Sequence, residues 1–408
     1  MKINKKPLSI YIHIPFCKKK CLYCDFLSAP ACFQERESYV KALLREISGI
    51  AKICADYEVI SVFFGGGTPS LLSKGQMKRI MSAVRKGYCL CRDAEITVEC
   101  NPATADFDKL SFYRECGINR LSIGLQSAND RELKELGRIH NYVQFLETFQ
   151  AARNAGFHNI NIDIMSALPG QTYESYLDTL EKVTALNPEH ISAYSLIIEE
   201  GTPFYDRFGS GENTAAYEVA QNMDCAPMYP CLPTEDTERK MYHKTKTFLQ
   251  NAGYFRYEIS NYAKKGYECR HNLSYWKGTE YLGFGIGAAS YFGGCRFKNC
   301  SEKERYQEYF AFDYVQNAET FHALHEEINF LTKEEQMEEF MFLGLRLKKG
   351  VSRAEFRERF QVSIEEVFGD KIQGLHSKRL LCCNKDRIYL SQYGMDIANY
   401  VMAEFLLE

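Results

Sequence analysis

The sequence lacks the features that tie a chain to a membrane or to a polyanion. No run approaches the roughly 18 apolar residues of a bilayer-crossing helix. The N-terminal MKINKKPLSIYIHIPFC has a basic start, but its apolar stretch of about nine residues is broken by His13 and Pro15 and has no small-residue cleavage site, so it is not read as a signal peptide. An excess of one charge is also missing: Lys and Arg total 50 against 53 Asp and Glu, for a formal net charge of −3. That balance argues against nucleic acid or an anionic membrane as partner. Tryptophan occurs once, at position 276, and there is no internal repeat or low-complexity tract.

What the chain does have is cysteine, 16 in 408 residues. In a small secreted protein these would imply disulfides. In a chain this long, with 45% hydrophobic residues, they are read as thiols of a reducing cytoplasm, available as metal ligands. The length predicts two or three structural units.

Along the first half, strand-like and helix-like stretches alternate. Apolar, β-branched runs occupy 9–16, 59–64, 94–100, 120–125, 159–165 and 190–197, with amphipathic stretches between them at 35–54, 74–86, 106–115 and 173–186. Such alternation predicts an α/β fold with a parallel sheet, a partial (β/α)6 TIM-like barrel over 1–208. Each strand run ends in a polar or glycine cluster, and the rim at the C-terminal strand ends is where such barrels build sites. Residues 209–233, which include Cys225 and Cys231, read as a loop or insertion. Residues 234–300 read as a β-rich barrel extension. Residues 301–408 read as a C-terminal helical, winged-helix-like domain, with a hairpin near 380–390 and a last helix near 395–406. Its arginines at 353, 357 and 359 are interrupted by Glu355 and Glu358, which argues against a nucleic-acid footprint.

Cys17-Lys-Lys-Lys-Cys21-Leu-Tyr-Cys24 follows the first strand run. Three thiolates on one compact loop suit an iron–sulfur cluster and would leave one iron of a four-iron cube without a protein ligand. Lys18, Lys19 and Lys20 are placed to favour the thiolate forms. A zinc site and a chance cluster stand as alternatives, although zinc sites usually pair such a motif with a second one, and none follows here.

The CxxxCxxC motif, followed by GGGTPS after the second strand, resembles the radical S-adenosylmethionine (SAM) superfamily. With ECNP, INRLSIGLQS, LGRIH, NIDIMSALPGQT, ISAYSLIIEEGTPF and HNLSYW, most of residues 9–292 resemble its oxygen-independent coproporphyrinogen oxidase group. The resemblance implies a [4Fe–4S] cluster on Cys17, Cys21 and Cys24, with SAM on its open iron and an electron donor for the cluster. It also implies SAM contacts at Tyr11, Tyr23, Gly66, Gly67, Thr68, Glu99, Gln126, Arg138 and Asp163. The chemistry suits that ligand, because carboxylates can meet its cationic and hydroxyl groups while Arg can grip its carboxylate.

Within the group, two departures point away from porphyrinogen decarboxylation. Phe26 stands where the oxidases carry a further cysteine, and only sixteen residues precede Cys17. Together with HNxxYW at His271–Trp276, they resemble the heme-chaperone branch, which binds heme as cargo and passes it to acceptor proteins. His271 is the candidate heme contact, since imidazole is a common iron ligand. The oxidase reaction is the alternative function. No residue is assigned a catalytic role, and His13 is placed to orient the cysteine loop.

Overall fold

The computed structural model describes residues 5–209, 230–311 and 322–407. Cys225, in the expected insertion, lies outside them; Cys231 lies within, and its carbonyl accepts the Gly170 N–H at 2.8 Å. Six parallel strands run in sequence order: β1 (Lys6–Ile14), β2 (Tyr57–Gly66), β3 (Leu90–Cys100), β4 (Arg120–Gln126), β5 (Ile160–Ser166) and β6 (His190–Ser195). Helices return the chain between them. Several begin at capping boxes, where Ser73, Asn141 or Thr172 accepts a first-turn N–H and a side chain three residues on reaches back. This is the partial (β/α)6 barrel that the alternation predicts.

Apart from register shifts in β1, β2 and β4, the six strands alternate, which reading for apolar runs does not reveal. Ile10, Ile12, Val62, Phe64, Ile96, Val98, Leu121, Ile123, Ile162 and Ile164 pack into the main core. The intervening residues line the lumen and, Phe63 aside, are mostly polar: Tyr11 and His13, Glu99, Arg120 and Ser122, Asn161 and Asp163, Ser192 and Tyr194. Because side chains alternate with a period of two, every strand gives one face to the helices and the other to the barrel interior. Buried polar groups need partners, and many here find them on the next strand. Ser61 donates to Ser9 at 2.8 Å, Asn161 donates to Ser122 at 2.8 Å, and His190 pairs with Asn161 at 2.6 Å.

The barrel stays open, and strands from the second half extend both edges, because an edge strand offers unpaired N–H and C=O groups. β7 (Phe255–Arg256) and β8 (Asn261–Ala263) join antiparallel beyond β6. β9 (Tyr281–Phe284) pairs in parallel with β1, and β10 (Ala289–Phe292), β11 (Cys295–Asn299) and β12 (His325–Phe330) follow antiparallel. Twelve strands form one sheet among the described residues. The strand-like stretch 254–292 thus divides between opposite edges, and β12 carries the sheet past residue 300, where the C-terminal unit was expected to begin.

A separate core follows, built on Met337, Met341, Phe356, Phe368, Ile388 and Phe405 among others. Its helices Lys333–Leu345, Arg353–Phe360 and Ile364–Ser377 pack with a small sheet of β13 (Val351–Ser352), β14 (Leu381–Cys383) and β15 (Arg387–Leu390), the expected winged-helix-like arrangement. The single last helix expected near 395–406 is two, Gln392–Asp396 and Ala398–Ala403, broken at Ile397 (φ −125°, ψ 42°). Among the described residues no helix is long and apolar enough to cross a membrane.

Candidate functional site

The loop carrying Cys17, Cys21 and Cys24 leaves β1 and is stapled by backbone hydrogen bonds. The Cys17 N–H donates to Ala29 at 3.1 Å, the Leu22 N–H to Leu136 at 3.0 Å, and the Leu22 carbonyl accepts from Phe204 at 3.0 Å. All three thiols are free and half-buried, and they face one cavity of about 470 Å³. The Thr68 hydroxyl donates to the Cys17 sulfur at 3.6 Å, and Nη1 of Arg138 donates to the Cys21 sulfur at 3.6 Å. Both donors favour electron-rich sulfur. At Cys24, burial pushes the thiol up to about 11; Lys20 acts in the expected direction, but burial outweighs it. Among the described residues no three His, Cys, Asp or Glu side chains converge on a point that would suit one metal ion.

Tyr23, Gly66, Gly67, Thr68, Glu99, Gln126, Arg138 and Asp163 line the same cavity. The glycine loop is fixed by close approach. A Cβ on Gly66 (φ +104°) would sit 2.4 Å from the His13 ring, and one on Gly67 would sit 2.7 Å from the Phe16 backbone. Gln126 has φ +72°, strained for a residue with a side chain, at a register shift between β4 and β5. Its Oε1 accepts from the Tyr194 hydroxyl at 3.1 Å. Arg138 also donates to the Gly124 carbonyl at 2.7 Å, while its Nε is buried without a partner. Asp163 accepts from the Asn161 amide at 2.7 Å and from Ser122 at 3.1 Å, and burial holds its carboxyl above the usual range. Glu99 is pushed up to about 8, by burial first and by Asp163 second. Two neighbouring buried carboxyls and a guanidinium with one unpaired N–H fit a ligand that carries cationic groups, hydroxyls and a carboxylate.

Tyr11 and His271 lie on a second cavity, of about 730 Å³, which shares Gly66, Glu99, Ser122 and Asp163 with the first. The Tyr11 hydroxyl meets Nδ1 of His13 at 3.1 Å, and Nε2 of His13 meets the Leu27 carbonyl at 2.8 Å, so His13 does tie the cysteine loop to β1. His271 sits on the helix Arg270–Trp276, which plugs the lumen against β1–β3. Its ring lies over Phe63 at 5.0 Å, and both nitrogens are engaged: Nδ1 with Ser61 at 3.0 Å and Nε2 with the Tyr275 hydroxyl at 2.9 Å. Burial, then the charge of Arg120, lowers the imidazole to about 3 and keeps it neutral.

Residues of the lumen other than the rim set were not singled out from the sequence: Arg120, Asn161, Ser192 and Phe63. The period-two alternation of RLSIGLQ and INIDIMS carries the signal that would have found several of them.

An open parallel barrel with a three-cysteine loop after its first strand and a glycine loop after its second defines a class. The family model described as "Radical SAM superfamily" matches residues 11–183, and "HemN C-terminal domain" matches 331–397. Over nearly its whole length the chain is similar to the heme chaperone HemW of Lactococcus lactis, 35% identical with 99% of this chain and 98% of that one covered. It is likewise similar to the Bacillus subtilis heme chaperone HemW, at 35% with 98% and 99% covered. It is similar too to mouse radical S-adenosyl methionine domain-containing protein 1, mitochondrial, at 31% with 98% and 87% covered. Among solved structures, Escherichia coli coproporphyrinogen III oxidase (HemN) superposes with a TM-score of 0.79 at 24% identity, covering 98% of this chain and 90% of that one. The chain belongs to the HemW family of the radical SAM superfamily.

Proposed function

We propose that this protein holds a [4Fe–4S] cluster on Cys17, Cys21 and Cys24, binds SAM beside it, and carries heme to acceptor proteins. The observation that carries the reading is the paired cavity, with the cysteine loop and buried carboxyls at one end and a neutral histidine among aromatic rings at the other. Its full-length similarity to proteins named heme chaperones supports the cargo. When bound, a cluster of this kind supplies one-electron chemistry to SAM. The chain's own residues then do the holding. Thr68 and Arg138 fix the sulfurs of Cys17 and Cys21, and Glu99 and Asp163 face the cationic and hydroxyl parts of SAM. Gly66 and Gly67 would let the backbone approach it, and Gln126 and Tyr23 would hold it from the same cavity wall. Tyr11 lines the larger cavity, which shares Gly66, Glu99 and Asp163 with the first.

His271 is the heme contact in this reading. Its neutral imidazole is in the protonation state an iron ligand needs, and Nε2 becomes available when the Tyr275 hydroxyl turns away. Phe26, exposed at the mouth, occupies the position of the oxidases' further cysteine.

The test is anaerobic reconstitution followed, on one sample, by heme titration and a coproporphyrinogen III assay. Binding of about one heme per chain without protoporphyrinogen is expected, as for a carrier with one imidazole ligand. Robust protoporphyrinogen production would replace this reading with the oxidase.

A further inference from the structure

Arg120 opens β4 on the lumen face, lines the larger cavity and is only 2% exposed. Its Nε is buried without a partner, and among the described residues the guanidinium makes no hydrogen bond or ion pair. Glu95, Tyr257, Cys269 and Asp163 reach it through charge alone.

The carboxyls around it are committed elsewhere. Glu95 accepts the N–H groups of Arg270 and His271, both at 3.1 Å, and the Cys269 thiol at 3.5 Å. Asp163 is taken up by Asn161 and Ser122. Glu99 holds its proton up to about pH 8, so near neutrality it offers little countercharge. A buried guanidinium with no hydrogen-bonded partner is costly, and buried charges are found paired.

We propose that Arg120 is the anchor for a carboxylate of the cavity's occupant, entering the lumen between Asp163 and His271. The guanidinium's planar fork matches a carboxylate in geometry and charge. The surrounding wall suits the rest of such a ligand, since the aromatic side chains of Tyr11, Phe63 and Tyr275 line the same cavity. Arg138 at the other end is tied to Cys21 and Gly124, so the two arginines serve different ligands. The occupant is thus a body that offers a carboxylate to Arg120 and a flat surface to these rings. Resting on the heme reading above, the group on Arg120 is a heme propionate.

The experiment compares heme with heme dimethyl ester, whose propionates are blocked, on the reconstituted full-length protein. Wild type should bind heme at least about tenfold more tightly than the ester, and Arg120→Met should lose about tenfold or more for heme while changing little for the ester. Arg120→Lys, which keeps the charge but not the fork, should fall between them. Binding of both compounds by wild type without preference, or an equal loss of both in Arg120→Met, would overturn the anchor. Wild type that binds neither compound would overturn the heme reading and the propionate assignment with it. If Arg120→Met lacks native circular dichroism, the wild-type ratio and the lysine variant decide.

Discussion

Arg138 bridges the cysteine loop and β4, with one Nη donating to the Cys21 sulfur at 3.6 Å and the other to the Gly124 carbonyl at 2.7 Å. One planar group therefore sets how far the loop stands from the strand that bears Gln126. Lysine in its place keeps the charge but not the planar fork that holds both bonds in one fixed geometry. Arg138→Lys should still assemble a cluster, since the three cysteines remain. SAM should perturb the spectrum of the reduced cluster only at concentrations about tenfold or more higher, as expected for a lost charge-assisted hydrogen bond. An electron paramagnetic resonance titration measures this, and an unchanged midpoint would remove Arg138 from the ligand site.

Glu99 adds a pH dependence. Burial and the neighbouring Asp163 hold its proton up to about pH 8, yet a cationic ligand is met best by the ionised carboxylate. Affinity should therefore rise with pH below 8, by up to about tenfold per unit, and level off above it. The ligand's own amino group titrates nearby, so the readout is the ratio of wild-type to Glu99→Gln affinity, measured calorimetrically from pH 6 to 9. A flat ratio would dispose of the idea.

The strands and their rim were legible because each βα unit announces itself locally: an apolar run, a polar or glycine stop, an amphipathic helix. Gly66, Glu99, Gln126 and Asp163 sit at those stops and fall on one cavity. The lumen was not legible in the same way. A search for apolar runs treats Arg120, Asn161 and His190 as interruptions, whereas they are the inward half of an alternating pattern. The split of 254–292 between two sheet edges is a long-range choice, set by which edge is free rather than by local pattern. His271 was found by its motif, and Tyr275 stands one helical turn on within it, but its other hydrogen bond is to Ser61, 210 residues away, which no spacing connects to it.

The glycine loop makes a steric prediction. A Cβ on Gly67 would lie 2.7 Å from the Phe16 carbonyl oxygen and 2.9 Å from its nitrogen, and Phe16 adjoins Cys17. Backbone cannot yield as a flexible side chain can, so Gly67→Ala should push the cysteine loop off β2. The expected result is a folded protein with markedly less iron and sulfide after reconstitution. Wild-type iron content in Gly67→Ala would show that the loop accommodates the methyl group.

Glu46 predicts a stability effect away from the ligands. This buried carboxyl, on the helix Phe33–Ile50, accepts from Gly285 N–H at 2.8 Å, from the Tyr306 hydroxyl at 2.5 Å and from the Asn299 amide. It clasps that helix to the strands beside the larger cavity. Burial raises it to about 7 despite the three donors. Because the folded value lies above the unfolded one, its contribution is fully present below about pH 4.3 and declines as pH rises to about 7, by on the order of 4 kcal/mol in all. Glu46→Gln adds a constant cost by setting an amide among donors, but it cannot titrate. The wild-type advantage in urea unfolding should therefore shrink from pH 5 to pH 8, and an advantage independent of pH would contradict the raised value.

The pair of bonds on His271 separates a ligand from a scaffold. With the imidazole held to about 3 by burial and Arg120, it stays neutral through the physiological range, so heme affinity should show no imidazole titration between pH 5 and 8. Tyr275→Phe removes the group that competes for Nε2 while leaving Ser61 on Nδ1. If iron takes Nε2, that variant should bind heme at least as tightly as wild type with the same Soret maximum, while His271→Ala should shift the band or abolish binding. If the ring only supports the lumen wall, His271→Ala will leave the Soret band in place, and His271 then drops out of the heme site.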